Sequence, residues 1–178
     1  MSVTELAREL GTTDRTLRRL AALGTVRSGR HRGRPARAVL DEESYLRDHW
    51  ALLSQLRAAL RTEPRVVAAL VFGSVATGND TPASDVDLAV AIDGDHDLTD
   101  LHLLRRRLSA RIGRRIDLFD LEDLILQPDL LASVLNEARP VVDRAHVWPR
   151  LRAARRTLLT RRPGGRRRRS LVSRTLPA

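Results

Sequence analysis

The most informative part of the chain reads Val71-Phe72-Gly73-Ser74-Val75-Ala76-Thr77-Gly78-Asn79-Asp80-Thr81-Pro82-Ala83-Ser84-Asp85-Val86-Asp87-Leu88. An apolar run stops at the Gly-Ser pair, and a polar loop rich in turn-forming residues follows. Two aspartates then open the next apolar run. This order predicts a buried strand, a tight turn, a loop and a second strand.

The two ends of this stretch carry groups suited to a phosphate and to a metal ion. Gly73 allows the backbone to approach an anion closely, and Ser74 offers a hydroxyl and a backbone N–H. Asp85 and Asp87 stand two residues apart on a strand, so they share a face with Cα atoms about 6 to 7 Å apart. Both carboxylates can therefore reach one or two hard cations such as Mg²⁺. Each end alone has a plainer explanation, a simple turn or a solvated strand end.

Strand and helix patterns alternate around this stretch, which predicts an α+β fold with a small mixed sheet. The predicted strands are Arg65–Phe72, Asp85–Ile92, Ile116–Asp120 and Arg139–Asp143. The predicted helices run from a cap at Asp97 or Thr99 to Ile112, from Asp129 to Ala138, and from Val147 to Leu159. On the second strand the two aspartates share a face with Ala89 and Ala91, small residues that leave room for a ligand.

The Gly-Ser pair, the ten-residue loop and the Asp-Val-Asp triplet resemble the signature of the DNA polymerase beta nucleotidyltransferase superfamily, in its minimal bacterial form. The resemblance covers roughly residues 65–145. Members of the family have a third carboxylate on a later strand. Asp117 stands at the matching position, with Asp120 as a reserve candidate.

The resemblance implies a role for each of these residues. Asp85 and Asp87 would hold two Mg²⁺ ions, and Asp117 would complete one metal site and take a proton from the acceptor. Gly73 and Ser74 would bind the β- and γ-phosphates of ATP or another nucleoside triphosphate. Attack on the α-phosphorus would then release pyrophosphate.

Three considerations weigh against this interpretation. Asp117 can instead form an ion pair with Arg114 or Arg115, its neighbours in the sequence. Thr77 stands where many relatives have an arginine, which removes one phosphate contact. The motif also survives in inactive members of the superfamily, so a domain that only senses nucleotide is an alternative to an enzyme.

The resemblance also implies a class of acceptor. Small members of the superfamily include antitoxins that transfer AMP to a tyrosine of a partner toxin of the HEPN ribonuclease class, and aminoglycoside-modifying enzymes. The domain here is too small for an evident antibiotic pocket, which favours a protein acceptor. The alternatives are a transcriptional regulator with a nucleotide-sensing or inactive domain, and an antibiotic-modifying nucleotidyltransferase.

Residues 1–40 resemble a winged helix-turn-helix domain, which implies DNA binding. Ala7 lies where two helices would cross, and Gly11 allows the turn between them. The second helix, Asp14–Leu23, exposes four side chains to a major groove, namely Arg15, Thr16, Arg18 and Arg19. The alternative is a helical pair used only for packing or dimerisation. Such domains usually have one helix more, so the following helix or a second subunit of a homodimer is expected to cover the pair.

A basic wing is predicted at Arg27–Pro35, between strands at Val26 and Ala38–Leu40. Within it, Arg32 and Arg34 are further candidates for DNA contact, since Arg32-Gly33-Arg34-Pro35 also resembles an AT-hook. Residues 41–62 then form a connecting helix, residues 63–160 the nucleotidyltransferase domain, and residues 161–178 a disordered basic tail.

Composition and charge fit this division of the 178 residues. The net charge of +10 divides into +6 for residues 1–40, −7 for 41–149 and +11 for 150–178, and all 32 basic residues are arginine. The basic ends suit nucleic acid or another polyanion.

With no cysteine, a disulfide framework or thiolate zinc site is excluded. No signal peptide or membrane span fits, so we expect a cytoplasmic protein. The histidines at 31, 96, 102 and 146 lack ligand spacing and are expected at the surface.

Overall fold

The computed structural model describes residues 2–27, 36–124 and 126–160. The chain forms two compact units, one extending to Ser54 and the other beginning at Gln55. In the described part of the chain, no helix combines the length and the apolar character needed to cross a membrane. The predicted tail at 161–178, and Arg32 and Arg34 of the predicted wing, lie outside the described residues.

The first unit contains the predicted pair of helices, α1 (Val3–Glu9) and α2 (Asp14–Leu23). Gly11, in the turn between them, has the positive φ of 63° that glycine adopts readily. The buried side chains of the pair are Leu6, Ala7, Leu17 and Leu20, whereas Leu10 is half-buried.

A third helix, α3 (Ala36–Arg61), accompanies this pair, and its residues up to Ser54 belong to the first unit. Arg47 of α3 donates from Nε to Oε1 of Glu9 at 2.6 Å, and Glu42 accepts from the backbone N–H of Arg27 at 2.8 Å. These two contacts join α3 to the C-terminal end of α1 and to the segment that follows α2.

The predicted wing strands are wrong. Val26 lies in a bend after α2, and residues 38–40 belong to the first turns of α3, which begins five residues before the predicted helix. The sequence Ala36-Arg37-Ala38-Val39-Leu40 is rich in good helix formers, and these extend the helix rather than pair as a strand.

The second unit is built on a four-stranded mixed sheet with the order β3-β2-β1-β4. The strands are β1 (Val66–Phe72), β2 (Val86–Ile92), β3 (Ile116–Asp120) and β4 (Arg139–Asp143). β1 pairs antiparallel with β2 and β4, whereas β2 pairs parallel with β3. All four predicted strands are confirmed within one residue. Pro140 in β4 is tolerated because β4 is an edge strand.

Each strand is followed along the chain by one or two helices of the second unit. These are α4 (Gly73–Thr77) after β1, α5 (Leu98–Ile112) after β2, α6 (Leu121–Leu124) and α7 (Pro128–Glu137) after β3, and α8 (Val147–Ala153) and α9 (Arg155–Thr160) after β4. Of the two predicted caps for the start of α5, Asp97 is confirmed, and the helix ends at Ile112 as predicted, with Gly113 as its C-cap. The single helix predicted from Val147 to Leu159 is instead divided at Ala154.

The core of the second unit packs one sheet face against α6, α7, α8 and α9. That face is formed by Ala68, Leu70, Phe72, Ala89 and Ala91, all buried.

One side chain, that of Arg144, satisfies the backbone carbonyls at the end of α3 and before β1. It donates to the carbonyls of Leu60, Glu63, Pro64 and Val66. This guanidinium fixes where β1 begins, and β1 in turn leads directly to the Gly-Ser pair.

Candidate active site

Three carboxylates meet on one face of the second unit's sheet. Asp85 immediately precedes β2, Asp87 lies within β2, and Asp117 lies within β3. Because β2 and β3 run parallel with Asp87 opposite Asp117, these two side chains are neighbours. Burial raises the pKa of Asp87, and the charges of Asp117 and Asp85 raise it further. The three predicted acidic residues are therefore close enough to repel one another.

The Gly-Ser pair lies beside these carboxylates. Phe72, the last residue of β1, is the register partner of Asp87, so Gly73 begins α4 directly next to that carboxylate. Gly73 has a φ of 68°, and a Cβ placed on it would lie 3.2 Å from Cγ of Asp87 and closer still to Oδ2. Glycine is thus required here both by the backbone conformation and by the approach of a carboxylate.

The Ser74 hydroxyl has no hydrogen-bond partner among the residues that the structure describes, and the side chain is half-buried. Thr77 donates its hydroxyl to the backbone carbonyls of Gly73 and Ser74 at 3.1 and 3.0 Å. Thr77 therefore stabilises α4 itself, while Ser74 keeps a free donor beside the carboxylates.

Two arginines that the sequence analysis did not assign to the site hold its loops in place. Buried Arg139 donates from Nε to the carbonyl of Ala76 at 2.8 Å and so ties α4 to β4. Nη2 of Arg114 donates to Oδ2 of Asp80 at 3.1 Å and to the carbonyls of Thr81 and Ser84 at 3.2 and 2.6 Å. The loop that leads to Asp85 is thereby fixed. Nothing local in the sequence marks these roles, since each arginine acts on a distant segment.

A third arginine, Arg115, lies between two of the carboxylates. Its Nη2 is 3.1 Å from Oδ2 of Asp85, and its Nε is 3.7 Å from Oδ1 of Asp117. Within the described ranges, no three acidic or histidine side chains form a ready-made cage for a metal ion. The donor chemistry nevertheless fits Mg²⁺, because three carboxylates on one surface supply the oxygen ligands that this ion prefers.

The reserve candidate, Asp120, lies elsewhere. Three residues beyond Asp117 on a strand, it faces the opposite side of the sheet, where it is buried and accepts from the backbone N–H of Glu122 at 2.9 Å. Its other oxygen is 2.6 Å from Nε2 of His96, whose side chain is only 10% exposed. His96 is therefore a half-buried partner of Asp120, and the expectation that it is a freely exposed surface residue is wrong.

The predicted DNA-reading residues lie on α2 of the first unit. Arg15, Arg18 and Arg19 are exposed, but Arg18 also pairs with Asp14 of its own helix at 3.1 Å. Thr16 is half-buried, and its hydroxyl is 2.9 Å from that of Thr13 at the helix start. Arg15 and Arg19 are the members of the set with no such contact in the described residues.

Two surface hollows of the second unit differ in charge. One, of about 600 Å³, is lined mostly by acids together with His96 and lies on the Asp120 side of the sheet. The other is an open groove of about 640 Å³ whose charged lining consists of Arg105, Arg106, Arg114 and Arg115. Arg115, which contacts Asp85 and Asp117, is among the lining residues of the second hollow, but none of the three carboxylates lines it.

The family model described as polymerase beta nucleotidyltransferase matches residues 54–146. A search of curated proteins found no match. Among solved structures, a minimal nucleotidyltransferase is 36% identical over 49% of this chain and 90% of its own, with a TM-score of 0.43.

Toxin–antitoxin structures are also similar to this chain. A mutant of the MntA-HpeT toxin–antitoxin pair is 18% identical over 60% of this chain and 88% of that chain, with a TM-score of 0.49. A tri-AMPylated HEPN toxin of Shewanella oneidensis in complex with the MNT antitoxin gives 18% identity, 60% and 76% coverage and a TM-score of 0.42.

Proposed function

Because this chain belongs to the polymerase beta nucleotidyltransferase family, we propose that its second unit transfers AMP from ATP to a hydroxyl group of a partner protein. The observation that supports this most is the meeting of Asp85, Asp87 and Asp117 beside Gly73 and Ser74. A triphosphate with its metal ions needs such a surface, with acidic ligands on one side and a small hydroxyl-bearing turn on the other.

Under this proposal, different side chains bind the metal ions and the phosphates. Asp85, Asp87 and Asp117 would hold Mg²⁺, which supplies positive charge against the charge that develops on the entering and leaving oxygens. The Ser74 hydroxyl is free to donate to a phosphate oxygen, and the bare Gly73 lets that phosphate approach. Arg139 and Arg114 keep α4 and the following loop in position for both tasks.

The reaction balances as a simple displacement. The acceptor hydroxyl oxygen forms a bond to the α-phosphorus, and the bond from that phosphorus to the bridging oxygen of the β-phosphate breaks. Pyrophosphate leaves with the electron pair. The hydroxyl proton passes to Asp117, whose side chain is 34% exposed and so is accessible to an acceptor.

The arginine beside the carboxylates favours a protein acceptor over an aminoglycoside. Arg115 contacts Asp85 and Asp117, and the groove that it also lines has arginine as its charged lining, which repels a polycationic antibiotic. The acceptor to test first is a tyrosine of a HEPN-type toxin encoded beside this protein, since a compared structure contains an AMPylated HEPN toxin.

The test incubates the purified protein with α-labelled ATP, Mg²⁺ and the candidate toxin, or an extract of the source cell. Label on the toxin supports the proposal, whereas label on a small molecule favours antibiotic modification. Bound but unconverted ATP favours a nucleotide sensor. The matched variants are Asp85→Asn with Asp87→Asn, which should abolish labelling, and Asp95→Asn, an exposed acid outside the site that should not.

The first unit is proposed to bind DNA, which would suit autoregulation of a toxin–antitoxin operon. Arg15 and Arg19 on α2 are exposed and support this proposal. In a mobility-shift titration with the DNA upstream of its own gene, the double substitution Arg15→Ala with Arg19→Ala should weaken binding about tenfold or more. Arg8→Ala on α1 serves as the control of equal charge type, and an equal loss in both variants would indicate binding without docking of α2.

A further inference from the structure

One guanidinium spans two of the three carboxylates in the candidate active site. Arg115 is 3.1 Å from Asp85 through Nη2 and 3.7 Å from Asp117 through Nε. The two acids come from different strands, and the arginine contacts both from the β3 side. Such a double contact neutralises charge that would otherwise hold the two carboxylates apart.

The backbone explains why Arg115 is in this position. Val86 pairs with Ile116 in the parallel register of β2 and β3, and the carbonyl of Arg115 accepts from the N–H of Val86 at 2.9 Å. The register therefore carries Arg115 opposite Asp85, one residue before the strands begin. The ladder fixes the root of the side chain, and the guanidinium reaches the acids on either side.

From this arrangement we infer that Arg115 is a built-in counter-cation that competes with divalent metal ions for Asp85 and Asp117. The inference rests on the proposed metal-dependent function and deepens it. In the described residues the acids form no finished metal cage, and Arg115 already occupies two of their oxygens. For both carboxylates to ligate metal, the guanidinium must turn away.

That movement has a low cost. The side chain of Arg115 is 72% exposed, so turning it into solvent sacrifices little packing. Ion pairs this exposed are individually weak, so they lower the affinity for a metal ion without preventing its binding. Asp87 makes no ion pair with Arg115 in the structure and stays available as the first ligand for an arriving ion.

The test measures metal binding directly, with Mn²⁺ as a paramagnetic probe that prefers similar oxygen ligands. Free Mn²⁺ is followed by electron paramagnetic resonance as it is titrated into the full chain without nucleotide. Arg115→Gln should bind Mn²⁺ about three- to tenfold more tightly than the wild type, as expected when two weak ion pairs no longer compete. Arg115→Lys, which keeps the charge but has a single charged nitrogen in place of the Nη2 and Nε that approach the two acids, should lie between them.

The control for overall charge is Arg106→Gln, an exposed arginine that lines the same groove but makes no ion pair with these acids in the described residues. If Arg115→Gln binds Mn²⁺ no more tightly than Arg106→Gln, the inference is wrong while the metal site stands. If Asp85→Asn with Asp87→Asn leaves Mn²⁺ binding unchanged, or neither arginine variant binds at all, the proposed metal site fails as well. Thermal unfolding of each variant checks that the unit is folded.

Discussion

Gly73 and Asp87 lie so close together that the first has no room for a side chain. Gly73 begins α4 directly after β1, whereas Asp87 lies in β2, and a methyl group on Gly73 would overlap the carboxylate of Asp87. The start of α4 and the central acid of the site are thereby held at one fixed distance. Under the proposed function, a triphosphate bound at α4 would therefore lie beside the proposed metal ligand Asp87.

Gly73→Ala should therefore damage both stability and catalysis. We expect a loss of about 2 to 4 kcal/mol in the free energy of unfolding, combining a positive φ with overpacking. The matched control is Gly113→Ala, which has a similar φ of 71° and nothing within 4 Å of the added Cβ. It should cost only about 1 kcal/mol in urea unfolding. Equal losses in the two variants would show that Asp87 does not restrict Gly73.

Asp87→Asn should stabilise the metal-free protein while abolishing transfer. Since burial and two neighbouring carboxylates raise the pKa of Asp87, its charged form opposes folding at neutral pH. The neutral amide should gain up to about 1 kcal/mol in chelator-treated buffer. The raised pKa also fixes the sign with pH, because the wild type recovers stability as pH falls and Asp87 takes up a proton. The gap between the two proteins should therefore close in acid.

Asp85→Asn is the comparison for this experiment, because Asp85 has an ion pair with Arg115 to lose. It should gain no stability in the same chelated buffer. A destabilised Asp87→Asn variant, measured by thermal unfolding, would contradict the view that the three acids repel one another.

The acidic residues of this site can be predicted from the sequence better than the arginines that hold the surrounding segments in place. Alternation along a strand places Asp85 and Asp87 on one face, and the same alternation excludes Asp120 once Asp117 is included. The contact of Arg139 with Ala76 joins residues 63 positions apart, and no local pattern indicates it. The predicted wing strands are wrong for the opposite reason, because the short apolar run at residues 38–40 continues a helix together with the helix-forming residues around it.

Arg139→Met tests whether the buried arginine positions α4. The substitution removes the hydrogen bond to the carbonyl of Ala76 but keeps much of the side-chain volume. We expect a loss of about 1 to 3 kcal/mol in stability, because a buried carbonyl is left without its donor. A raised KM for ATP, measured at a temperature where the variant is fully folded, would show that α4 has shifted. An unchanged KM would restrict Arg139 to a purely structural role.

His96 should make the stability of the second unit depend on pH. Its Nδ1 is 3.1 Å from the carbonyl of Gly94 and its Nε2 is 2.6 Å from Asp120, so only the imidazolium donates to both. Burial lowers the pKa of His96, but the bonds to Asp120 and Gly94 and the nearby charge of Glu122 outweigh it and leave the pKa raised above 6.5. A raised pKa means that this contribution is complete below 6.5 and is lost as pH rises through the folded-state value.

The measurement is urea unfolding of the wild type and of His96→Gln at a series of pH values, from below 6.5 to above the folded-state pKa of His96. The wild type should be the more stable protein at the acid end, and the difference should shrink as pH rises. A difference that stays constant, or grows with pH, would mean that His96 is neutral in the folded protein.

The most direct measurement of the central claim follows the two ends of the triphosphate separately, with α-labelled and γ-labelled ATP, Mg²⁺ and the acceptor protein. If Asp85, Asp87 and Asp117 form the reaction centre of a nucleotidyltransferase, label from the α-phosphate appears on the acceptor, label from the γ-phosphate leaves as pyrophosphate, and Asp87→Asn loses the transfer. Undiminished α-label transfer by Asp87→Asn, or γ-label on the acceptor, would contradict the claim.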